Sequence, residues 1–180
     1  MLNKLNFYGL TPVLLLVIAL FSGFFTKVDA ASEVIPKANN LQKDGINALE
    51  KGIPVLLEFS MHGCAFCEEI EAEVLRPMLI SGDYDHKVLV RNVKIDEDHE
   101  IIDFNGKSIS YEDLAARYNV FVTPTLVLVN ADGEGMNLDM IGVTTIDFYG
   151  IYLDQAIDQA IKRVSTANKS ELSSAGSPAS

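Results

Sequence analysis

Apolar residues in this chain gather in short runs between polar, turn-forming stretches, and a sustained helical period appears only in its last third. Val55-Leu56-Leu57-Glu58-Phe59-Ser60 is an apolar run with a single charge, opened by Pro54, and predicts a strand covered on both faces. His86 to Ile95 contains Val88-Leu89-Val90 and then Val93 and Ile95 alternating with polar residues, which predicts a second strand. Thr125 to Val129 is a third. Asn130-Ala131-Asp132-Gly133-Glu134 reads as a turn toward a fourth strand around Leu138 to Val143, antiparallel to the third.

Four helices interleave with these strands. Asn39 or Asn40 caps the first, in which Leu41, Ile46, Ala48 and Leu49 form an imperfect apolar face before Gly52 ends it. Ile70, Val74 and Leu75 mark the second, which Pro77 should stop at Arg76. Ser110, with Asp113 three residues on, opens the third, with Leu114, Ala115 and Tyr118 turned inward and Asn119 at its end. Tyr149, Leu153, Ala156, Ile157, Ala160, Ile161 and Val164 share one face of the last. Between the second strand and the third helix, residues 97–109 are polar and read as a loop or small hairpin.

The 180 residues, 48% hydrophobic and 22% charged, suit one domain with a real core. Residues 1–30 read as a signal peptide: Lys4 precedes an apolar run from Val13 to Phe25, and Val28-Asp29-Ala30 places small residues for cleavage. The alternative is an uncleaved N-terminal anchor, since the 19 residues from Phe7 to Phe25 approach the length of a bilayer span, although Thr11, Pro12, Ser22 and Gly23 interrupt them. Residues 31–38 read as a linker, 39–165 as the folded domain, and 166–180, rich in Ser and Ala with no apolar period, as a disordered tail. The net charge of −11 becomes −12 once residues 1–30, with two lysines and one aspartate, are removed. So acidic a surface argues against nucleic acid as a partner.

The chemistry lies in the only two cysteines, Cys64 and Cys67, three positions apart where the first strand hands over to the second helix. The first turn of a helix leaves backbone N–H groups unpaired and carries the positive end of its dipole, so a thiolate there is stabilised. Cys64, at the helix entrance, is the candidate nucleophile. Cys67, one turn in, is the candidate resolving thiol that releases a mixed disulfide. A purely structural disulfide competes with this reading, but one closing so small a loop would constrain the unfolded chain little. A metal site needs about four ligands; no second cysteine pair exists, and His62, His86 and His99 are scattered. Export would place the pair in an oxidising compartment, which implies an electron donor or acceptor outside this chain.

The order helix, strand, Cys-x-x-Cys helix, strand, helix, strand, strand, helix resembles the thioredoxin superfamily, an α/β fold with a mixed sheet of about four to five strands flanked by helices. Leu57-Glu58-Phe59 stands six residues before Cys64 as the family's acidic-aromatic strand end does, and Tyr118-Asn119-Val120-Phe121-Val122-Thr123-Pro124-Thr125-Leu126 is similar to its proline segment. The likeness covers roughly residues 40–165. The exported setting and the insert near Asp103-Phe104-Asn105-Gly106-Lys107 look like the periplasmic SoxW-type thioredoxins.

The resemblance implies roles that spacing alone does not. It implies a Cys64–Cys67 disulfide in the oxidised form, a cis Thr123–Pro124 bond facing it, and a Thr123 backbone that pairs with an extended substrate segment as an added strand. Glu58 would be a buried proton relay to Cys67, its pKa raised by burial. Two positions depart from the family: Asn92 stands at the place of its usual lysine near that acid, and Gly63 at the place of its tryptophan.

The expected activity is that of a periplasmic thiol–disulfide oxidoreductase, without cofactor, that reduces disulfides of exported client proteins and is recharged by a membrane thiol donor. The chain would itself contact the membrane only if residues 1–30 are retained. Glu68, Glu69, Glu71 and Glu73 oppose a thiolate at Cys64 and outweigh His62, which favours a reductant with a modestly lowered Cys64 pKa. The alternatives are a disulfide oxidase or isomerase, since potentials in this class span about −270 to −120 mV, and a redox-inactive binding domain that uses the Pro124 face.

Overall fold

The computed structural model describes residues 35–175, so the signal peptide expected over 1–30 and the first four residues of the expected linker lie outside the described part. The elements are α1 (Leu41–Lys51), β1 (Val55–Ser60), α2 (Ala65–Ile70), a π-helical segment (Glu71–Leu75), α3 (Arg76–Ser81), β2 (Leu89–Lys94), β3 (Glu100–Ile102), β4 (Ser108–Ser110), α4 (Tyr111–Arg117), β5 (Thr125–Val129), β6 (Met140–Ile141) and α5 (Ile146–Ala175). The main sheet has the order β2-β1-β5-β6. β1 runs parallel to β2 and antiparallel to β5, and β5 pairs antiparallel with β6. This is the mixed α/β architecture anticipated, with four strands. Among the described residues no helix is long and apolar enough to cross a membrane.

β1 and β5 are buried at every position, as predominantly apolar runs in central strands should be. Their alternation feeds two cores. Leu56, Leu126 and Leu128 meet Ile70, Leu75, Leu153 and Ile157 on the side of α2 and α5. Val55, Leu57, Phe59 and Val127 meet Leu41, Tyr111 and Leu114 on the side of α1 and α4. Each such side chain contributes roughly 1.5–3 kcal/mol by leaving water. The face predicted for the last helix is the buried one: Tyr149, Leu153, Ala156, Ile157, Ala160 and Val164 all point inward.

Four readings change. The buried face of α1 is Leu41, Asp44, Gly45 and Ala48, whereas Ile46 and Leu49 are 55% and 54% exposed. The side choice is decided by a charge and a gap. The Asp44 carboxylate takes two hydrogen bonds from Arg91, at 2.8 and 2.6 Å, and a Cβ at Gly45 would lie 2.2 Å from the Ala131 carbonyl oxygen. Residues 35–38 are not a spacer but part of the sheet: Ala38 N–H donates to the Asn92 carbonyl at 2.9 Å, Asn92 N–H donates to the Pro36 carbonyl at 2.8 Å, and Ile35 and Ala38 are buried.

The second helix does not stop at Arg76. Proline removes one helical hydrogen bond and crowds the carbonyl four residues earlier; the wider π turn over Glu71–Leu75 lies just ahead of Pro77, and the helix resumes as α3 until Gly82 adopts φ 72°. The last helix also runs past Ser165 to Ala175. No glycine or proline interrupts the chain between Gly150 and Gly176, and Ala, Lys, Glu and Leu tolerate helix well. Residues 176–180 lie outside the described part. The polar stretch 97–109 resolves into the antiparallel β3–β4 hairpin.

Candidate active site

β1 ends at Ser60 and the chain turns through Met61-His62-Gly63 into α2. That turn is anchored from β2's side: the His62 N–H donates to both Asp96 carboxylate oxygens, at 3.1 and 3.0 Å, and its ring Nδ1 lies 3.0 Å from the same carboxylate. Gly63 has φ 69° with open space where a Cβ would be, so backbone conformation rather than crowding favours glycine there. A bulky residue such as tryptophan would be strained at this point.

Cys64 caps α2, and it is bonded to Cys67 with an S–S distance of 2.06 Å. The Cys67 backbone N–H points at Cys64 Sγ, 3.2 Å away, so a free N–H of the first helical turn is aimed at the sulfur assigned as nucleophile. The two sulfurs differ in access. Cys64 is half-buried, while Cys67 is 1% exposed. Thr123 Oγ1 stands 3.6 Å from Cys64 Sγ, and the Thr123–Pro124 bond is cis. Thr125 Oγ1 donates to the Val122 carbonyl at 2.7 Å and Gly142 N–H to the Pro124 carbonyl at 2.8 Å, which ties this loop to β5 and β6.

Glu58 is fully buried on β1, at the register position of Asn92 on β2 and Leu126 on β5. Its hydrogen bond comes from Asn92 Nδ2 at 2.9 Å rather than from either cysteine; the same amide donates to Ser60 Oγ at 2.8 Å. Burial pushes the Glu58 carboxyl up to about 8, against the opposing pull of the Asn92 hydrogen bond. A carboxyl held there exchanges protons near neutral pH.

The carboxylates that crowd α2 are not equivalent. Glu71 reaches Arg76 at 3.3 Å, so part of its charge is offset, and His62 is held by Asp96 and Glu97, at 3.0 and 3.6 Å. Met61 and Phe66, just before and between the cysteines in the chain, and Phe121 and Val122, which precede Thr123, are exposed apolar side chains that residue spacing did not reveal, with Phe121 86% exposed. The one sequence signal was that Phe121 belongs to no strand or helical period. Among the described residues no group of three or more His, Cys, Asp or Glu side chains is placed to hold a metal ion.

Residues 41–157 match the family model for the thioredoxin-like domain, and the chain belongs to that family. Among solved structures it is similar to a DsbH oxidoreductase, with a TM-score of 0.53 and 15% identity over 74% of this chain and 92% of that one. It is also similar to mitochondrial thioredoxin 3 from Saccharomyces cerevisiae, with a TM-score of 0.47 and 21% identity over 69% and 94% of the two chains. A thioredoxin-fold protein from Helicobacter pylori gives a TM-score of 0.42 and 24% identity over 71% and 98%. No curated protein matches the sequence. A thioredoxin-like fold carrying a Cys64–Cys67 pair at a helix entrance is the equipment of a thiol oxidoreductase.

Proposed function

We propose that this protein is an exported, periplasmic thiol–disulfide oxidoreductase of the SoxW-like kind that reduces disulfides in exported client proteins. One observation carries the reading: Cys64 is the reachable sulfur and faces a helix-start N–H, while its partner Cys67 is buried one turn away. In the reduced protein the Cys64 thiolate attacks a client disulfide, forming a mixed disulfide and releasing one client thiolate. Cys67 gives its proton to Glu58 and attacks Cys64 Sγ; the Cys64–Cys67 bond forms, the mixed disulfide breaks, and the second client thiolate leaves and is protonated. The client gains two electrons and two protons, and a membrane thiol donor restores the dithiol. Thr123 supplies backbone for an added client strand, and Phe66, Phe121 and Val122 supply apolar contact beside it.

The crowding of Glu68 and Glu69 near Cys64 supports a reductant over an oxidase, and the tie between His62 and Asp96 removes the main counterweight. An insulin reduction assay tests the activity: wild type should be active, Cys64→Ser inactive, and Cys67→Ser should accumulate mixed disulfides with clients. Equal inactivity of wild type and both variants overturns the proposal in favour of a redox-inactive binding domain. A reduction potential of about −120 mV, as in strongly oxidising members of the class, overturns the direction of electron flow.

A further inference from the structure

The helix that starts at the cysteines continues through the π segment into α3, and the π segment packs against α5. A groove of about 540 Å³ lies between these two helical stretches. Val74, Met78 and Leu153 give it an apolar floor, and Ile151 stands beside them, 54% exposed. Four carboxylates also line it, Glu73 and Asp83 from the α3 side and Asp147 and Asp154 from α5. Among the described residues no lysine, arginine or histidine does. Of the cations close by in the chain, Arg76 is paired with Glu71 at 3.3 Å, and Lys87 lies over the Tyr84 ring, 5.0 Å from its centroid. Tyr84 bridges the two walls, its hydroxyl donating to the Asp154 carboxylate. Asp147, Ile151 and Asp154 follow one another at the spacing of a single helix face, so acid, apolar and acid groups alternate over roughly 10 Å of α5.

Gly150 lines the same groove. Glycine within a helix costs stability relative to alanine, and the fold itself does not demand one here. A Cβ at Gly150 would lie 3.8 Å from Val74 Cγ1, an ordinary contact, whereas at Gly45 it would strike a backbone oxygen at 2.2 Å. The missing side chain at Gly150 therefore serves no neighbour within the chain. It leaves the α5 backbone open to close approach by something seated in the groove. Charge restricts what that is: nucleic acid, an anionic lipid surface and a second copy of a chain with net charge −11 are all repelled by the carboxylates.

We propose that this groove docks a basic amphipathic segment of another protein. An apolar side chain of the segment rests on Gly150 and Val74, and its lysines or arginines, one to two helical turns apart, meet Asp147 and Asp154 on one side and Glu73 and Asp83 on the other. Glu73 and Val74 come nine and ten residues after Cys64. That is roughly 14 Å along the helix axis, so the groove is separate from the disulfide and its occupation does not require the dithiol.

The test is calorimetric titration of the oxidised full-length protein with a leucine–lysine peptide patterned as an amphipathic helix, beside versions carrying glutamine or glutamate at every lysine. The lysine peptide should bind, and added salt should weaken it. The glutamine version should bind about tenfold more weakly or worse, and the glutamate version not at all. Glu73→Lys and Asp147→Lys should each weaken the lysine peptide about tenfold, while Glu50→Lys, at an exposed carboxylate on α1, leaves it unchanged. Gly150→Leu should weaken it to a similar degree by filling the groove, and Gly150→Ala should raise the thermal midpoint. Failure of the lysine peptide to bind overturns the proposal. Equal binding of the glutamine version does so too, because the groove then selects no charge. If Glu50→Lys is as harmful as Asp147→Lys, the attraction is to bulk charge and the site is rejected. A fall in the thermal midpoint of Gly150→Ala would show that the fold needs this glycine for itself, and it removes the case for an occupant.

Discussion

Asn92 Nδ2 donates to Glu58 Oε2 at 2.9 Å across the β1–β2 ladder, and among the described residues it supplies the one hydrogen bond that this buried carboxyl receives from a neighbouring side chain. The same Asn92 is fixed through its backbone by residues 36 and 38, so the N-terminal extended segment holds in place the amide that meets the candidate proton relay. A neutral amide, unlike a lysine, cannot offset a carboxylate's charge, and burial therefore dominates the Glu58 environment.

Glu58 is a liability to stability in a defined pH window. Its folded pKa, about 8, lies above the unfolded value of 4.5, so the folded state binds the extra proton and stability declines as pH rises between the two. Glu58→Gln keeps the shape and an acceptor for Asn92 without the charge. It should gain on the order of 4 kcal/mol over wild type at pH 8 and almost nothing at pH 4. Urea unfolding of the oxidised protein at the two pH values measures this. An equal change at both would show that the carboxyl is not perturbed.

Asn92→Ala should destabilise by roughly 1–3 kcal/mol, because it leaves Glu58 and Ser60 without their buried donor. It should also raise the Glu58 midpoint further, whereas Asn92→Lys should lower it. Carboxyl NMR titration separates the two variants.

Gly45→Ala should cost about 1–3 kcal/mol, against the gain of a few tenths to one that alanine ordinarily brings to a helix interior. The new methyl would meet the Ala131 carbonyl oxygen at 2.2 Å. A fall in the thermal midpoint checks it; a rise would mean the α1 face packs more loosely than described.

Thr123→Val removes the hydroxyl 3.6 Å from Cys64 Sγ while keeping the side-chain shape. If that hydroxyl steadies the thiolate by about 1 kcal/mol, the Cys64 thiolate fraction at neutral pH falls about fivefold, and alkylation by iodoacetamide slows in proportion. An unchanged alkylation profile would confine Thr123 to backbone pairing with clients.

Asp96→Ala should loosen the approach to the cysteines, since it removes three contacts with His62. Disulfide reduction should slow about three- to tenfold, with little loss of stability, as befits an exposed pair. The ratio of the two effects, from insulin turnover and urea unfolding on one preparation, distinguishes a local role from a global one.

What the sequence by itself determined is whatever depends on neighbours along the chain. The predominantly apolar runs at Val55 to Ser60 and Thr125 to Val129 are central strands because only a doubly covered strand tolerates them. Cys64 and Cys67 lie one helical turn apart by their spacing alone, and the face of α5 follows from its 3.6-residue period. The side on which α1 packs was decided elsewhere, by Arg91 and the Ala131 carbonyl, which lie 47 and 86 residues from their α1 partners Asp44 and Gly45. The sheet pairing of residues 36–38, the π turn that carries the helix through Pro77, and the meeting of Glu58 with Asn92 are likewise tertiary. No local pattern encodes them, because a buried charge or a close backbone approach takes its energy from the groups that the folded chain brings to it.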